Sequence, residues 1–218
     1  MKNFTEKYNV SCETIERFKT YHELLLEWQE KFNLVSNSSL QNVWKRHFED
    51  SAQLFEYIPE DAKTLIDFGS GAGFPAMVLA IMACEKTPYL NITMVESIKK
   101  KTLYLNEVAS RLGLGVIIEN NRIENLSVKK YDVITSRAMA SLVDLIQYAQ
   151  PFCSEKTICI FPKGKNYAAE LSEAHKKWYF KCVIKQNKVS EEGKILILSD
   201  ITKKKEKRNA KNFSSRQS

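Results

Sequence analysis

Leu65-Ile66-Asp67-Phe68-Gly69-Ser70-Gly71-Ala72-Gly73-Phe74-Pro75 is the segment that says most about the architecture of this chain. Its apolar residues predict a buried strand that ends at Asp67, then a glycine turn, then a helix whose first turn suits Pro75. A glycine loop that leads into a helix N-terminus lets the backbone approach a nucleotide-like ligand closely. We therefore predict that Gly69, Gly71 and Gly73 bind a cofactor.

The spacing of the glycines indicates which cofactor this is. A dinucleotide fingerprint, G-x-G-x-x-G, would need a glycine at position 74, where this chain has Phe74. The form D-x-G-x-G-x-G suits an adenosyl ligand without a pyrophosphate, which favours S-adenosylmethionine over NAD. A tight turn without any ligand is the alternative, although three alternating glycines cost backbone entropy that an ordinary turn does not require.

An acidic residue supports the same interpretation. Residues 91–95 predict a second strand, and Glu96 follows it directly. In a βαβ unit, a carboxylate at this position can accept hydrogen bonds from both ribose hydroxyls of a ligand. We expect Glu96 to bind the cofactor; a solvated charge at a strand end is the alternative.

The rest of the apolar pattern alternates between strands and helices. Strands are predicted at 64–68, 91–95, 115–119, 131–135, 157–161, 181–189 and 194–200, and helices at 76–84, 98–112, 141–149 and 166–176. This alternation is typical of an α/β fold with a parallel sheet covered by helices on both faces. The last two strands are too close for a crossover helix and so form an antiparallel hairpin. Seven such strands match the class I, Rossmann-like methyltransferase sheet.

Three parts are predicted along the chain. Residues 1–60 form an N-terminal helical cap, with amphipathic helices at 10–32 and about 40–57, and residues 61–202 form the methyltransferase core. Residues 203–218 form a flexible basic tail with seven Lys or Arg and one Glu, which supplies +6 of the net charge of +7. A polyanion is the obvious partner of such a tail, and a merely solubilising role is the alternative.

Composition narrows the class of protein. The chain has 218 residues, of which 44% are hydrophobic, so it can bury a substantial core. No apolar run reaches the ~18 residues that span a bilayer, and the N-terminus lacks an apolar signal segment. The five cysteines are scattered without a C-x-x-C pair. We therefore expect reduced thiols, a cytoplasmic location, and neither a metal site nor contact with a membrane.

Several motifs recur, in order, in one bacterial family. On these motifs the chain resembles the glucose-inhibited division protein B (RsmG) family over about residues 20 to 200. The matching segments are Phe32-Asn33-Leu34-Val35 (Y-N-L-T in the family), 46–51 (R-H-x-x-D-S), 67–75 (D-x-G-x-G-x-G-F-P), Val95-Glu96-Ser97 with the basic pair Lys99 and Lys100, 121–124 (R-x-E), 135–138 (S-R-A) and Lys163-Gly164. The chain departs from the family at 76–78, where many relatives have G-I-P, and in its tail, which lacks their Pro- and Gly-containing ending.

The resemblance implies a function in rRNA processing and ribosome biogenesis. It implies an S-adenosylmethionine-dependent methyltransferase that acts on N7 of a guanine in the decoding-region loop of 16S ribosomal RNA. The expected partner is 16S rRNA or a precursor of the small subunit, and we expect a monomer. Carried over by motif, the family's cofactor site implies Gly69, Phe74, Ile123, Glu124 and Arg137.

The substrate side is predicted from charged residues. Arg137 could pair with the methionine carboxylate or with an RNA phosphate. Arg46, His47 and Asp50 fall on adjacent turns of one predicted helix, a face that lines the RNA side of the pocket or simply closes on the core. Phosphates could be bound by basic residues outside this helix, namely Lys99, Lys100, Lys101, Lys163, Lys165 and the tail.

The implied chemistry requires no general base. N7 of guanine carries a free lone pair at neutral pH, so direct in-line transfer would depend on proximity and electrostatics, and the sequence identifies no catalytic residue. The alternatives are a class I methyltransferase for another RNA, a small molecule or a protein, and a non-catalytic RNA-binding assembly protein. A dehydrogenase is disfavoured by the glycine spacing.

Overall fold

A central seven-stranded sheet organises the computed structural model, which describes residues 2–205. Its strands are β1 (Thr64–Phe68), β2 (Asn91–Val95), β3 (Ile117–Glu119), β4 (Tyr131–Ser136), β5 (Cys153–Lys163), β6 (Trp178–Gln186) and β7 (Lys194–Lys203). The strand order is β3-β2-β1-β4-β5-β7-β6. The first five strands pair in parallel, whereas β7 runs antiparallel to both β5 and β6. The predicted α/β sheet with a terminal hairpin is confirmed.

Helices cover both faces of this sheet. They are α1 (Lys2–Tyr8), α2 (Cys12–Lys31), α3 (Asn37–Leu40), α4 (Asp50–Ala52), α5 (Ala76–Lys86), α6 (Lys99–Leu112), α7 (Leu142–Ala149) and α8 (Tyr167–Lys177). Local chemistry sets several ends: the Ser11 hydroxyl caps α2 by accepting from the Thr14 N–H, and Gly113 ends α6 at a φ of 64°. Among residues 2–205, no helix is both long and apolar enough to cross a membrane.

The stretch predicted as one helix at about 40–57 is helical from Trp44 to Tyr57, but it is not a single regular helix. The structure has instead α3, a π-helix at Trp44–Glu49, α4 and a 3-10 helix at Gln53–Tyr57. Aromatic packing accompanies the change of period, since Trp44 stacks on Phe48 with ring centroids 4.7 Å apart. A π turn shifts the side chains that follow it relative to a regular helix, and such turns are frequent at functional sites.

Smaller differences concern strand ends. β3 is shorter than the predicted 115–119, β5 begins four residues before the predicted 157, and β6 lies at Trp178–Gln186 instead of 181–189. Lys203 was predicted as the first residue of the flexible tail, but it is the last residue of β7. Residues 206–218, which contain most of the predicted tail, lie outside the described residues.

Two apolar clusters lie on the two faces of the sheet. Leu65 and Ile66, neighbours on β1, belong to different clusters because successive strand side chains point to opposite faces. The cluster of Leu65 includes α5 and α6 together with Phe18 and Tyr21 of α2. The N-terminal helices therefore pack directly on one layer of the core.

The sheet topology indicates that a ligand would bind at one edge of the sheet, at the carboxyl ends of β1, β2 and β4. The chain leaves β1 toward β2 on one side and later returns to β4 on the other side. Ligands of open α/β sheets bind at the carboxyl ends of the strands where the strand order reverses in this way. The glycine loop after β1, Glu96 after β2 and Arg137 after β4 all lie at this edge.

Candidate active site

A cavity of about 720 Å³ lies at the carboxyl ends of β1, β2 and β4. This volume is within the range of ~300–1,000 Å³ that is usual for small-molecule sites. Of the eight predicted cofactor residues, Gly73 does not line the cavity. The other seven do, and they are Gly69, Gly71, Phe74, Glu96, Ile123, Glu124 and Arg137.

The three glycines of the loop have different roles. Their φ values are 67°, 57° and 95°, a region that side chains rarely adopt. A Cβ on Gly69 would lie 2.7 Å from Cγ of Met139, and a Cβ on Gly73 would lie 2.5 Å from the Tyr21 hydroxyl. A Cβ on Gly71 would meet only a carbonyl oxygen at 3.8 Å. Gly71 therefore offers free space beside the backbone, whereas the other two allow protein side chains to pack on the loop.

The Glu96 carboxylate is anchored beside this loop. The side chain is only 6% exposed, Oε2 accepts a hydrogen bond of 2.9 Å from the Gly71 N–H, and Oε1 accepts one of 2.8 Å from the Ile98 N–H. A carboxylate oxygen has a second acceptor position. Glu96 can therefore accept from ligand hydroxyls without losing the bonds that orient it.

Asp67 lies beneath the loop and outside the cavity lining. It is fully buried and accepts hydrogen bonds from the hydroxyls of Ser70 at 2.6 Å and Thr135 at 2.7 Å. Burial raises the pKa of Asp67 to about 7, although both hydroxyls favour its ionised form. Asp67 thus ties the glycine loop to β4 and has no direct path to a ligand.

The segment after β3 forms a further wall. Ile123 is buried at the start of a short 3-10 helix, and the Asn120 amide donates to the carbonyl of Glu96 at 3.0 Å. Tyr148 of α7 also lines the cavity, and the neighbouring charge of Glu124 raises its pKa. The sequence analysis missed Tyr148, because its contribution depends on how α7 packs and no motif marks it.

Arg137 lies at the boundary between this cavity and a second one. Its Nη1 donates to Asp50 Oδ2 at 3.2 Å and to the Arg46 carbonyl at 3.1 Å, and its Nη2 lies 2.7 Å from Nδ1 of His47. The guanidinium carbon also lies 5.2 Å from the centre of the Phe74 ring. The group is therefore held by protein partners on several sides while it still borders both cavities.

His47 is neutral in this environment. Burial, followed by the charges of Arg137 and Arg46, lowers its pKa to about 4. Arginine can only donate, so Nδ1 accepts and the ring proton is on Nε2, which is buried without a hydrogen-bond partner among the described residues. The ring stacks on Phe74 with centroids 4.8 Å apart.

The second cavity has a volume of about 840 Å³ and shares one wall with the first. The shared wall consists of Arg46, His47, Arg137 and Ala138. The remaining lining residues come from three regions, and they are Asn42, Lys45, Asp50, Pro162, Lys163, Gly164, Glu170, Asn187, Val189, Ser190 and Gly193.

The predicted phosphate-binding lysines differ in exposure. Lys163 is only 10% exposed, because Nζ lies 2.6 Å from Glu170 Oε2 and donates to the Ala140 carbonyl. Lys165 is exposed but does not line either cavity. Lys101 lines the first cavity, whereas Lys99 and Lys100 are exposed. Within the described part of the chain, no group of three or more His, Cys, Asp or Glu residues could hold a metal ion.

Comparison with known structures gives the class of fold. A ribosomal protein L11 methylase from Lactobacillus delbrueckii subsp. bulgaricus superposes with a TM-score of 0.56 at 15% identity, over 69% of this chain and 76% of that one. A SAM dependent methyltransferase from Aquifex aeolicus gives 0.54 at 12% identity, over 75% and 93%. Identities this low show the fold alone, which is the class I methyltransferase fold predicted from the seven strands and the terminal hairpin.

Comparison with known sequences gives the family. A sequence model described as rRNA small subunit methyltransferase G (GidB) matches residues 14–210. Two relatives are named "Ribosomal RNA small subunit methyltransferase G". The relative from Jannaschia sp. is 43% identical over 78% of this chain and 80% of its own length, and that from Rhodospirillum centenum is 38% identical over 91% and 90%. The motif resemblance is thereby confirmed, and the chain belongs to the rRNA small subunit methyltransferase G family.

Proposed function

We propose that this protein uses S-adenosylmethionine to methylate N7 of a guanine in the decoding-region loop of 16S ribosomal RNA. The observation that carries the proposal is the Glu96 carboxylate, anchored by two backbone N–H groups beside an open glycine turn. Family membership supports both the reaction and the class of substrate. Since ribosomal RNA is the substrate, we place the activity in the cytoplasm, with the protein acting as a monomer.

The residues of the first cavity fit the proposed cofactor. Glu96 would accept from the ribose hydroxyls, Gly71 leaves space for close approach, and Ile123 supplies an apolar wall for adenine. Glu124 and the backbone beside it lie next to Ile123 at the same wall. S-adenosylmethionine, when bound, supplies a methyl group on a positively charged sulfur.

The second cavity is proposed as the site of the target guanine. It shares the wall of Arg46, His47 and Arg137 with the cofactor cavity, so that a base on one side and a methyl donor on the other would be neighbours. Its rim includes exposed Lys45 and Arg46, which can bind phosphates of the strand that carries the base. The base must be presented in a loop or turned out of its stack to enter.

The residues at the shared wall suit a transfer without proton removal. Guanine N7 needs no base, and His47 is neutral with Nδ1 already engaged by Arg137. What remains for the protein is alignment and exclusion of water, which together lower the barrier to transfer. Asp50, paired with Arg137, offsets the guanidinium charge beside a guanine that becomes positive on methylation.

The proposal is tested by mapping methylation of 16S rRNA in cells that lack this protein. We expect loss of one N7-methylguanine, restored by the native gene and by Glu119→Ala, which removes an exposed carboxylate at the end of β3, but not by Glu96→Ala. A methylation map that is unchanged in the deletion strain would refute the proposed substrate. Restoration by Glu96→Ala would refute the assigned cofactor contact.

A further inference from the structure

The loop 187–193 joins β6 to β7 and forms one side of the second cavity, and Asn187 makes several of the hydrogen bonds that organise it. Asn187 is 6% exposed, and its Oδ1 accepts from the N–H groups of Val189 at 2.8 Å and Ser190 at 3.0 Å. Its Nδ2 donates to Asp50 Oδ1 at 2.8 Å. One buried amide thus closes the loop on itself and binds it to α4.

From Asp50 the hydrogen bonds continue to Arg137. Asp50 Oδ1 accepts from Asn187 and from Gln53 Nε2 at 3.1 Å, and its Oδ2 accepts from Arg137 at 3.2 Å. Gln53 is fully buried, and its Oε1 accepts from the backbone N–H of Lys188 at 2.8 Å. Both amides therefore act on one carboxylate oxygen and leave the other directed at the guanidinium.

We infer that Asn187 is a positioning residue for Arg137 in the methyl-transfer reaction, an inference that rests on the proposed function. A carboxylate on a free rotamer would offer Arg137 several geometries. The donors on Oδ1 restrict Asp50 to one of them, and in a buried network each bond orients the next. Asn187 does not line the cofactor cavity, so any effect that it has there passes through the placement of Arg137.

The first test reverses donor and acceptor in the hydrogen bond between Asn187 and Asp50. Asn187→Asp keeps the acceptor for Val189 and Ser190 but removes the donor to Asp50 and places two carboxylates together. At pH 8 we expect kcat for 16S rRNA to fall on the order of tenfold, because a misplaced group near the reacting atoms is costly. Adding Asp50→Asn to this variant restores a donor between the two side chains.

The decisive result is that the effect of Asp50→Asn on kcat changes sign between the two backgrounds. Asp50→Asn is expected to lower kcat in the native protein and to raise it in the Asn187→Asp background. Native activity in Asn187→Asp, or a double variant that is no better than Asn187→Asp, would overturn the inference.

A matched control separates positioning from loop docking. Lys188 Nζ also ties the loop to Glu56, at 2.6 Å from Oε2, through an exposed ion pair that contacts neither Asp50 nor Arg137 in the structure. Glu56→Gln weakens this attachment and is expected to leave kcat unchanged. If Glu56→Gln reduced kcat as much as Asn187→Asp, general attachment of the loop would explain the effect, and the inference would be overturned.

A second readout needs neither RNA nor cofactor. The side-chain ¹H–¹⁵N resonance of Arg137 in the isolated protein can be assigned by its loss in Arg137→Lys. We expect a single sharp signal in the native protein and the double variant, and a shifted or broadened one in Asn187→Asp. An Arg137 signal unaffected by Asn187→Asp would overturn the inference even if the protein methylated no RNA, so failure of the proposed function is distinguishable from failure of the inference.

Discussion

The hydroxyl of Tyr21 donates a hydrogen bond of 2.6 Å to the carbonyl oxygen of Ala72, in the middle of the glycine loop. Tyr21 lies on α2, and its fully buried ring stacks on Phe74 with centroids 5.4 Å apart. The same hydroxyl occupies the space that a Cβ on Gly73 would need. The N-terminal helices are therefore part of the structure that shapes the proposed cofactor site.

Tyr21→Phe should weaken cofactor binding as well as stability. The change leaves the Ala72 carbonyl without its partner in a buried position, which costs about 1–3 kcal/mol of unfolding free energy. Because that carbonyl belongs to the loop, we also expect a higher Kd for S-adenosylmethionine by calorimetry. Tyr8→Phe is the control, since Tyr8 donates to the Glu49 carbonyl away from the loop. Equal cofactor affinities for the native protein and Tyr21→Phe would contradict the prediction.

Gly73→Ala should destabilise the protein more than Gly113→Ala. Both glycines have positive φ, so both substitutions strain the backbone, by roughly 1 kcal/mol. Only at Gly73 does the added methyl group also collide with Tyr21 and with Met77, at 2.5 and 3.0 Å, whereas nothing lies within 4 Å at Gly113. Chemical denaturation gives the free energy of unfolding of the two variants. Equal losses of free energy would show that the glycine loop shifts to accommodate the methyl group without destabilising the protein.

Glu96→Gln should weaken S-adenosylmethionine binding by about tenfold or more. The carboxylate now accepts hydrogen bonds from two backbone N–H groups, and the amide nitrogen of Gln would face one of them without being able to accept. The variant keeps the size of the side chain, so folding should be largely preserved. Calorimetric titration gives the affinity, with Glu119→Gln as the control. An unchanged Kd in Glu96→Gln would exclude Glu96 from the cofactor site.

Asp67→Asn should alter how stability depends on pH. Burial raises the folded-state pKa of Asp67 to about 7, so between about pH 4 and 7 the folded protein holds a proton that the unfolded chain has lost. The stability associated with this proton is therefore lost as pH rises through 7. His47 acts in the opposite direction, with a folded pKa of about 4, but it is present in both proteins and cancels in their difference.

The measurement is the melting temperature of both proteins at pH 5 and pH 8. We expect the Tm of Asp67→Asn, relative to that of the native protein, to be higher at pH 8 than at pH 5. A relative Tm that stays constant would show that the Asp67 carboxyl is ionised across this range in the folded protein.

RNA binding should weaken steeply with salt, whereas cofactor affinity should stay nearly flat. Lys45, Arg46 and Lys165 are exposed near the second cavity, and each phosphate contact that is removed should reduce the slope of log K against log salt by about 0.7–0.9. Replacing Lys45, Arg46 and Lys165 together by Gln tests this, with RNA affinity measured by filter binding over a range of salt concentrations. The matched control is a triple Gln variant at the exposed residues Lys129, Lys130 and Lys156, which lie at the amino ends of β4 and β5, away from the cavities. An equal reduction of the slope in both variants would place the RNA elsewhere.

Much of the site could be predicted from local pattern. Gly69 and Glu96 follow strands whose apolar runs are short and bounded, and the carboxyl ends of parallel strands meet at one edge. The change of helix type within the stretch predicted at 40–57 could not be predicted locally, because Phe48 there packs on Phe18 of α2 and on Phe74, which other parts of the chain contribute. The shielding of Lys163 by Glu170 likewise depends on how α8 packs.

The α/β order, the cofactor class and the family are properties of short segments, since strand and helix periodicity and glycine spacing depend only on neighbouring residues. Tertiary packing alone placed Tyr21 on the glycine loop and Asn187, through Asp50, on Arg137. It also set the ionisation of Asp67 and His47, because a pKa depends on burial and on charges contributed by distant parts of the chain. The hydrogen bond of Tyr21 with Ala72 spans 51 positions of the chain, and that of Asn187 with Asp50 spans 137. Contacts at such separations produce no periodic pattern in the sequence.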